Sequence, residues 1–200
     1  MFADLQKHNA VYYIRCRDWG KKEMLEQLCR TLGIDAGRGF KTPNTLIDLI
    51  IEFFQERSLM RALLIIDDAD KVKPRGLCAL LIHLYNECED ATGVVIAGTE
   101  NLEKEIKRGV QYSVKGYDEL DSRLGRKYIK LIGCTLTDVT RICEANGLSD
   151  SNKIKEIFFE CKPVRKQVRI AGKEQIIQVI TDLRRLKRMV VRETIKTTQN

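Results

Sequence analysis

The feature that most constrains this chain is a short apolar run that ends in acids. Residues 63–66, Leu-Leu-Ile-Ile, show almost no alternation of apolar and polar side chains, which is typical of a strand buried on both faces. Two adjacent carboxylates, Asp67 and Asp68, follow directly. Because the carboxyl ends of parallel strands form the ligand crevice of an α/β sheet, such acids are suited to holding hydrated Mg²⁺ and polarising a water molecule. The segment alone leaves open the alternative that they cap the next helix or are merely solvated.

Strand and helix patterns alternate on both sides of this run. Apolar and β-branched segments predict four strands, at residues 11–16, 63–66, 93–97 and 128–134. Helical spacing of apolar residues predicts helices at residues 21–32, 43–57, 74–88 and 102–107. Since helices separate successive strands, this order predicts a parallel sheet with helices on both faces.

The pattern changes near residue 135, after which only helical spacing is found. The predicted helices lie at residues 136–145, 151–160, 164–170 and 173–193. We therefore expect two domains, an α/β core at residues 1–134 and a small all-helical C-terminal subdomain at residues 135–200.

Charge is distributed unevenly between the two ends of the chain. Residues 1–150 carry 22 Lys and Arg against 23 Asp and Glu, whereas residues 151–200 carry 13 against 5. Such a basic C-terminal part is expected to meet a polyanion, and the open alternative is a solvated basic helix face.

The composition indicates the cellular compartment of the protein and the state of its cysteines. A chain with 44% hydrophobic and 32% charged residues is typical of a soluble globular protein, and it contains neither a membrane-length apolar run nor a signal peptide. We therefore expect a cytoplasmic protein without a membrane partner. The seven cysteines include no CxxC pair, which indicates reduced, mainly structural thiols and argues against a zinc site.

The order of four short motifs carries a resemblance to a known family. The chain resembles the AAA+ ATPases, which have a P-loop NTPase fold, and among them the DNA-transposition ATPases of the phage Mu B type, proteins of phages and mobile elements. The motifs are Arg-Asp-Trp-Gly at 17–20, Leu-Leu-Ile-Ile-Asp-Asp-Ala-Asp at 63–70, Val-Val-Ile-Ala-Gly-Thr at 94–99 and Ser-Arg-Leu-Gly-Arg at 122–126. Each motif is weak alone, so the resemblance depends on their order and spacing.

The resemblance implies roles for five residues around ATP and Mg²⁺. Asp67, at the end of a Walker B strand, would support Mg²⁺ through water, and Asp68 lies where the family has a glutamate that activates the attacking water. Aspartate is one methylene shorter, so hydrolysis is expected to be slow. Thr99 matches a sensor that orients the water. Arg123 or Arg126 matches the finger that reaches a neighbouring subunit's phosphate, which implies a homo-oligomer. The alternative for Thr99 and both arginines is a surface residue.

One motif of the family is absent. No G-x-x-x-x-G-K-[ST] phosphate loop occurs in the sequence, and residues 1–9 look like the tail of the helix that follows that loop. Truncation and degeneration are both open, and this chain alone is expected to be inactive and to bind ATP poorly. The family's central strand would then be missing as well, so residues 128–134 should either pair with the 93–97 strand or detach.

Two hypotheses of function follow. The first is a DNA-transposition ATPase, or a fragment of one, that binds double-stranded DNA non-specifically, forms oligomers and works with a transposase. The second is a catalytically inert DNA-binding or protein-interaction module on an ATPase-like scaffold. The DNA-binding candidates are two basic clusters on predicted C-terminal helices: Arg165, Lys166, Arg169, Arg184, Arg185, Lys187 and Arg188. Alternatively, the resemblance implies that Arg165 or Arg169 is a second sensor that turns towards a nucleotide.

Overall fold

The computed structural model describes residues 10–72, 74–170 and 173–198, and the chain divides into two compact units. Unit 1 is Met1–Tyr128 and unit 2 is Ile129–Asn200, so the division lies six residues before the predicted one. Within the described ranges, no helix is long and apolar enough to cross a membrane.

Unit 1 contains a parallel three-stranded sheet. Its strands are β1 (Val11–Arg15), β2 (Ala62–Asp67) and β3 (Thr92–Ile96), in the order β1-β2-β3. Arg15 is paired with Asp67 and Ile66 with Ile96, so all three strands end at the same edge of the sheet. This edge is where polar residues of different strands can meet.

Unit 1 also contains five helices among its described residues. Local signals fix their ends: Gly33 closes the first helix in the left-handed region with φ of 74°, and the Thr42 side chain caps the second by accepting from the backbone N–H of Thr45. The helices are α1 (Lys21–Leu32), α2 (Pro43–Glu56), α3 (Pro74–Cys88), α4 (Glu100–Gln111) and α5 (Tyr117–Arg123).

The core of unit 1 lies on one face of the sheet. Leu64 and Ile66 of β2 are at most 1% exposed and pack with the buried residues of α1, α2 and α3, such as Leu25 and Ile50. The opposite face carries Val95, whose exposed fraction is 48%. The predicted P-loop-like α/β fold with a parallel sheet and helices is confirmed. The described core is built on alternate residues of each strand, so it covers one face of the sheet and not the two faces predicted.

Two predicted elements between residues 102 and 134 differ in the structure. The predicted strand at residues 128–134 forms no ladder; it makes one bridge, between Cys134 and Ile180, and Ile129 and Leu131 are each 91% exposed. The apolar run has no neighbouring strand in the described chain to pair with, so it detaches, which is one of the two expected outcomes. The helix predicted at residues 102–107 is longer than expected, since α4 runs from Glu100 to Gln111, and the sequence patterns did not predict α5.

Unit 2 is not all-helical, contrary to the prediction. It contains α6 (Leu136–Ala145), α7 (Ser151–Glu160), an antiparallel hairpin of β4 (Val164–Ile170) and β5 (Lys173–Val179), and α8 (Leu183–Thr198). The predicted helices at 164–170 and 173–193 are thus two strands and a shorter helix. Apolar residues at 164, 168 and 170 fall on one face of a strand, but Lys166 interrupts their period of two, so the segment has no clear strand pattern.

The core of unit 2 lies among its three helices and the segment that follows the hairpin. Val139, Ile157, Leu186 and Val190 are at most 2% exposed, and Ile180 is fully buried beside them. No residue of β4 whose side chain the structure describes belongs to this core. Among the hairpin residues whose side chains are described, Val179 at the end of β5 is the one that is fully buried.

Candidate functional site: the acidic sheet edge and the basic C-terminal unit

Asp67 lies at the carboxyl end of β2, and both of its carboxylate oxygens accept hydrogen bonds. The hydroxyl of Tyr13 donates to Oδ2 at 2.7 Å, and the backbone N–H of Asp68 donates to Oδ1 at 2.9 Å. The bond to Asp67 raises the pKa of Tyr13, because ionising the phenol would remove the donated proton beside a carboxylate.

Asp68 is held by two cations of the same unit. The Lys71 ammonium and the Arg15 Nε each lie 2.7 Å from its Oδ2. These contacts lower the pKa of Asp68, Lys71 first and Arg15 second. The backbone of Asp68 is in the left-handed region, with φ of 53°, a conformation that aspartate tolerates better than most residues.

Asp70 joins the ends of β2 and β3. Its Oδ1 accepts from the backbone N–H of Thr99 at 3.1 Å, and its Oδ2 accepts from the Thr99 hydroxyl at 2.8 Å. Thr99 also caps α4, since its hydroxyl oxygen accepts from the backbone N–H of Asn101. A Cβ at Gly98 would lie 2.9 Å from the Asp70 carboxylate, so a larger residue there would have to displace that carboxylate.

These acids do not fit a bound Mg²⁺ in the arrangement observed. Asp67 has a donor on each oxygen, and Asp68 is already neutralised by Arg15 and Lys71. Within the described ranges, no group of three His, Cys, Asp or Glu side chains could hold a metal ion. A divalent cation would have to displace at least one of the two basic side chains before it met an unpaired carboxylate.

The two candidate finger arginines are engaged within unit 1. Arg123 stacks over the Tyr85 ring, 4.5 Å from its centroid, and lies 3.8 Å from a Glu119 carboxylate oxygen. Arg126 forms long ion pairs of 3.9 Å and 4.0 Å with Asp118 and Asp121. Neither arginine contacts the acids at the end of β2, so a finger role stays a prediction.

The seven predicted DNA-binding residues occupy two elements of unit 2. Arg165, Lys166 and Arg169 lie on strand β4 rather than on a helix, which corrects the prediction, while Arg184, Arg185, Lys187 and Arg188 lie on α8 as predicted. On α8, Arg184, Lys187 and Arg188 are exposed and Arg185 is half-buried.

The cations of α8 fall into two classes. The four arginine and lysine side chains of its first half make no ion pair with described residues. Further along, Arg192 pairs with Glu160 and Glu193, and Lys196 pairs with Glu193. The first half of the helix therefore presents charge that the described part of the protein does not neutralise.

The sequence patterns did not reveal Tyr13, Arg15 and Lys71, which donate to Asp67 and Asp68, or Asp70, which accepts from Thr99. A signal for two of them was present, because Tyr13 and Arg15 alternate on β1 and so share one face of a strand that ends beside β2. The register that sets Arg15 opposite Asp67 depends on tertiary pairing, which a single sequence does not show.

The burial of the cysteines accounts for the protonation state of their thiols. Six of the seven are buried, Cys134 is partly buried, and all are free thiols. Burial raises the pKa of the Cys16 and Cys78 thiols to about 11, so these groups stay protonated and serve as small apolar side chains. This confirms the core-like positions inferred from their apolar neighbours.

A parallel sheet with acids at its carboxyl edge defines a P-loop-like α/β protein. The chain belongs to the AAA domain family, because that family's model, "AAA domain", matches residues 1–106, more than half of the chain. Nucleotide and Mg²⁺ binding is the general expectation for such domains. No curated protein matches the chain.

Two solved structures are similar to it. The crystal structure of Cdc6p from Pyrobaculum aerophilum is 15% identical, with a TM-score of 0.59 over 100% of this chain and 51% of that chain. The structure of Drosophila ORC bound to AT-rich DNA and Cdc6 is also 15% identical, over 96% of this chain and 80% of that chain, with a TM-score of 0.37. At this identity the Cdc6p likeness supports the fold alone, and the chain spans about half the length of that protein.

Proposed function

We propose that this AAA-family chain binds double-stranded DNA without strong sequence preference, through its basic C-terminal unit. The observation that carries the proposal is the location of the charge. Unit 2 carries 15 Lys and Arg against 8 Asp and Glu, whereas unit 1 carries 20 of each, so the whole net charge of +7 belongs to unit 2. An excess of cations on one compact unit is the expected footprint of a phosphate-binding surface.

DNA transposition is the process we propose, in the cytoplasm, with a transposase partner and a homo-oligomeric assembly. The support is the order of motifs that resembles the phage Mu B type. The second candidate, a catalytically inert interaction module, is favoured by one observation: Asp68 is held by Arg15 and Lys71 rather than left free for a cation.

ATP and Mg²⁺ remain the cofactors that the resemblance implies. We keep Asp67, Asp68 and Thr99 as the proposed acidic and sensor residues, Arg123 or Arg126 as the proposed finger, and Arg165 as the proposed second sensor. As placed, the two acids do not fit a metal ion, so the proposed roles of Asp67 and Asp68 require that Arg15 or Lys71 be displaced.

Salt dependence of duplex binding tests the DNA proposal. The dissociation constant of a fluorescent duplex is measured by anisotropy at several salt concentrations for the wild type and for a variant with Arg184, Arg185, Lys187 and Arg188 changed to Gln. Each phosphate that the variant no longer neutralises should lower the salt slope by about 0.9. The fold should survive, because the buried Leu186 and Val190 of the same helix are unchanged.

A matched control removes equal charge from unit 1. Arg30, Lys104, Lys107 and Lys115 are all exposed there, and changing the four to Gln lowers net charge by the same amount. Binding by this control should stay close to that of the wild type. If the α8 variant and the control lose affinity equally, only net charge matters and the proposed surface is wrong; if neither changes, α8 has only a structural role.

A further inference from the structure

The β4–β5 hairpin is a two-stranded ribbon with two different faces. The register pairs Arg165 with Gln178, Gln167 with Ile176, and Arg169 with Glu174, and paired residues point to the same side of the ribbon. All six of these residues are exposed. On the other face, Lys166, Val168 and Ile177 are partly buried and Val179 is fully buried. The first face of the ribbon is therefore open to solvent along these three pairs.

An apolar side chain lies at the centre of this exposed face. Ile176 is 72% exposed, and its two neighbours along the face, Glu174 and Gln178, are polar. The arginines Arg165 and Arg169 lie on the paired strand, two residues to either side of its cross-strand partner Gln167. A single exposed apolar residue needs no explanation in itself, but one framed by two arginines on an exposed ribbon face has the chemistry of a groove contact.

The dimensions of the face match a DNA groove. The two arginines are four positions apart along the strand, which is about 13 Å at a rise of about 3.3 Å per residue. The major groove of B-form DNA is about 12 Å wide and accepts a two-stranded ribbon. Arginines at this spacing can reach phosphates on the two walls while the central residue faces the base edges.

The acid on this face is already engaged. The Gln167 side-chain amide donates to Glu174 Oε2 at 2.8 Å, and Glu174 lies opposite Arg169 in the ladder. Arg165 makes no ion pair with described residues, so a phosphate is a suitable partner for it.

We propose that this face of the hairpin enters the major groove of duplex DNA and that Ile176 contacts the methyl group of thymine. The inference rests on the proposed DNA-binding function and adds to it a small preference in affinity for sites that contain A·T pairs. In the major groove the thymine methyl is the one apolar group presented by a base edge, and aliphatic side chains contact it. The contact adds to a phosphate-driven affinity and leaves most of the binding non-specific.

A coupled substitution on protein and DNA tests the proposal. Two duplexes of identical A·T-rich sequence are compared, one with thymine and one with uracil, which lacks only the methyl group. The wild type should bind the uracil duplex about fourfold more weakly for each methyl it buries. Ile176→Ala should lose a similar factor on the thymine duplex and should bind both duplexes equally.

The control variant is Ile195→Ala, because Ile195 is a similarly exposed isoleucine, at 53%, on α8 of the same unit. It should keep the wild-type preference for thymine. Circular dichroism of both variants should be unchanged, since neither side chain is buried.

The outcomes separate this inference from the proposed function. If the wild type binds neither duplex, the DNA-binding function is wrong and this inference falls with it. If the wild type binds with a steep salt dependence but does not distinguish thymine from uracil, the function stands and the groove contact is wrong. A loss of affinity in Ile176→Ala that is equal on both duplexes would place Ile176 outside the major groove and would also overturn the inference.

Discussion

The Nε of Arg15, at the end of β1, lies 2.7 Å from Oδ2 of Asp68, just beyond the end of β2. A neighbouring strand thus supplies a cation to the second acid of the pair, and Lys71 supplies another from the following turn. The sequence gives no partners for Asp67 and Asp68, but in the structure both carboxylates accept hydrogen bonds from side chains of unit 1 at the sheet edge. Any cation that binds there must compete with side chains of the protein itself.

The first prediction concerns the titration of Asp68. Lys71 and Arg15 lower its pKa in the folded chain, so folding favours the charged carboxylate. The resulting stability is present above the unfolded pKa of about 3.9 and is lost as pH falls through the lower folded value. The chemical shift of the Asp68 carboxyl carbon, followed by NMR as a function of pH, should show a pKa below the unfolded value in the wild type. The pKa of Asp68 should be higher in Lys71→Gln and in Arg15→Gln than in the wild type.

A surface pair elsewhere provides the control for this titration. Lys22→Gln removes the partner of Glu26 on α1, an ion pair of 3.8 Å that does not involve the sheet edge. It should leave the titration of Asp68 unchanged. An Asp68 that titrates identically in the wild type and in both variants would show that the two contacts do not hold in solution.

The second prediction concerns Thr99, which both caps α4 and donates to Asp70. Thr99→Val removes the hydroxyl and should lower the free energy of unfolding by about 1 kcal/mol, the usual cost of removing an N-cap. Urea denaturation measures the change. Thr99→Ser keeps the hydroxyl and should stay close to the wild type. A Thr99→Val variant as stable as the wild type would mean that the hydroxyl contributes nothing through the cap or the bond to Asp70.

The third prediction concerns Gly109 in the last turn of α4. A Cβ there would overlap the ring of the buried Tyr117, at atoms close to the backbone of that residue. Alanine improves helix propensity by about 1 kcal/mol, but overpacking typically costs about 1–3 kcal/mol, and here the ring cannot turn away. Gly109→Ala should therefore lower the midpoint of urea unfolding.

Gly93→Ala is the matched control for Gly109. A Cβ at Gly93 would lie 3.5 Å from Leu63 Cδ1, which is an ordinary contact. This variant should change stability by less than about 0.5 kcal/mol, as surface substitutions usually do. If Gly109→Ala were equally harmless, the packing of α5 against α4 would have to differ from that described.

The elements predictable from sequence are those whose signals are local. The helix at Lys21–Leu32 is predicted to the residue, because its apolar face and the glycine at 33 are both contained in the segment. The strands of the parallel sheet follow from continuous apolar runs bounded by polar residues. Each of these patterns is complete within about a dozen residues.

The predictions that fail depend on partners distant in the sequence or on pairing between segments. Residues 128–134 have the composition of a strand but no neighbour with which to pair in the described chain, and residues 164–170 form a strand because residues 173–179 lie beside them. The candidate acids are predicted at the correct edge of the sheet. Their contacts with Tyr13 and Arg15 depend on the register of β1 against β2, which the sequence does not show. Register between distant strands is a tertiary property.

The last prediction concerns ATP. The sequence contains no phosphate loop, and the two acids at the end of β2 already have protein donors on them. Without the backbone N–H groups and the lysine of that loop, most of the binding energy for the phosphates is missing. Calorimetric titration of this 200-residue chain with ATP and Mg²⁺ should show no binding tighter than about millimolar, a limit near −4 kcal/mol. Unfolding measurements on the same preparation verify that the sample is folded, and a micromolar dissociation constant would show that other residues replace the loop.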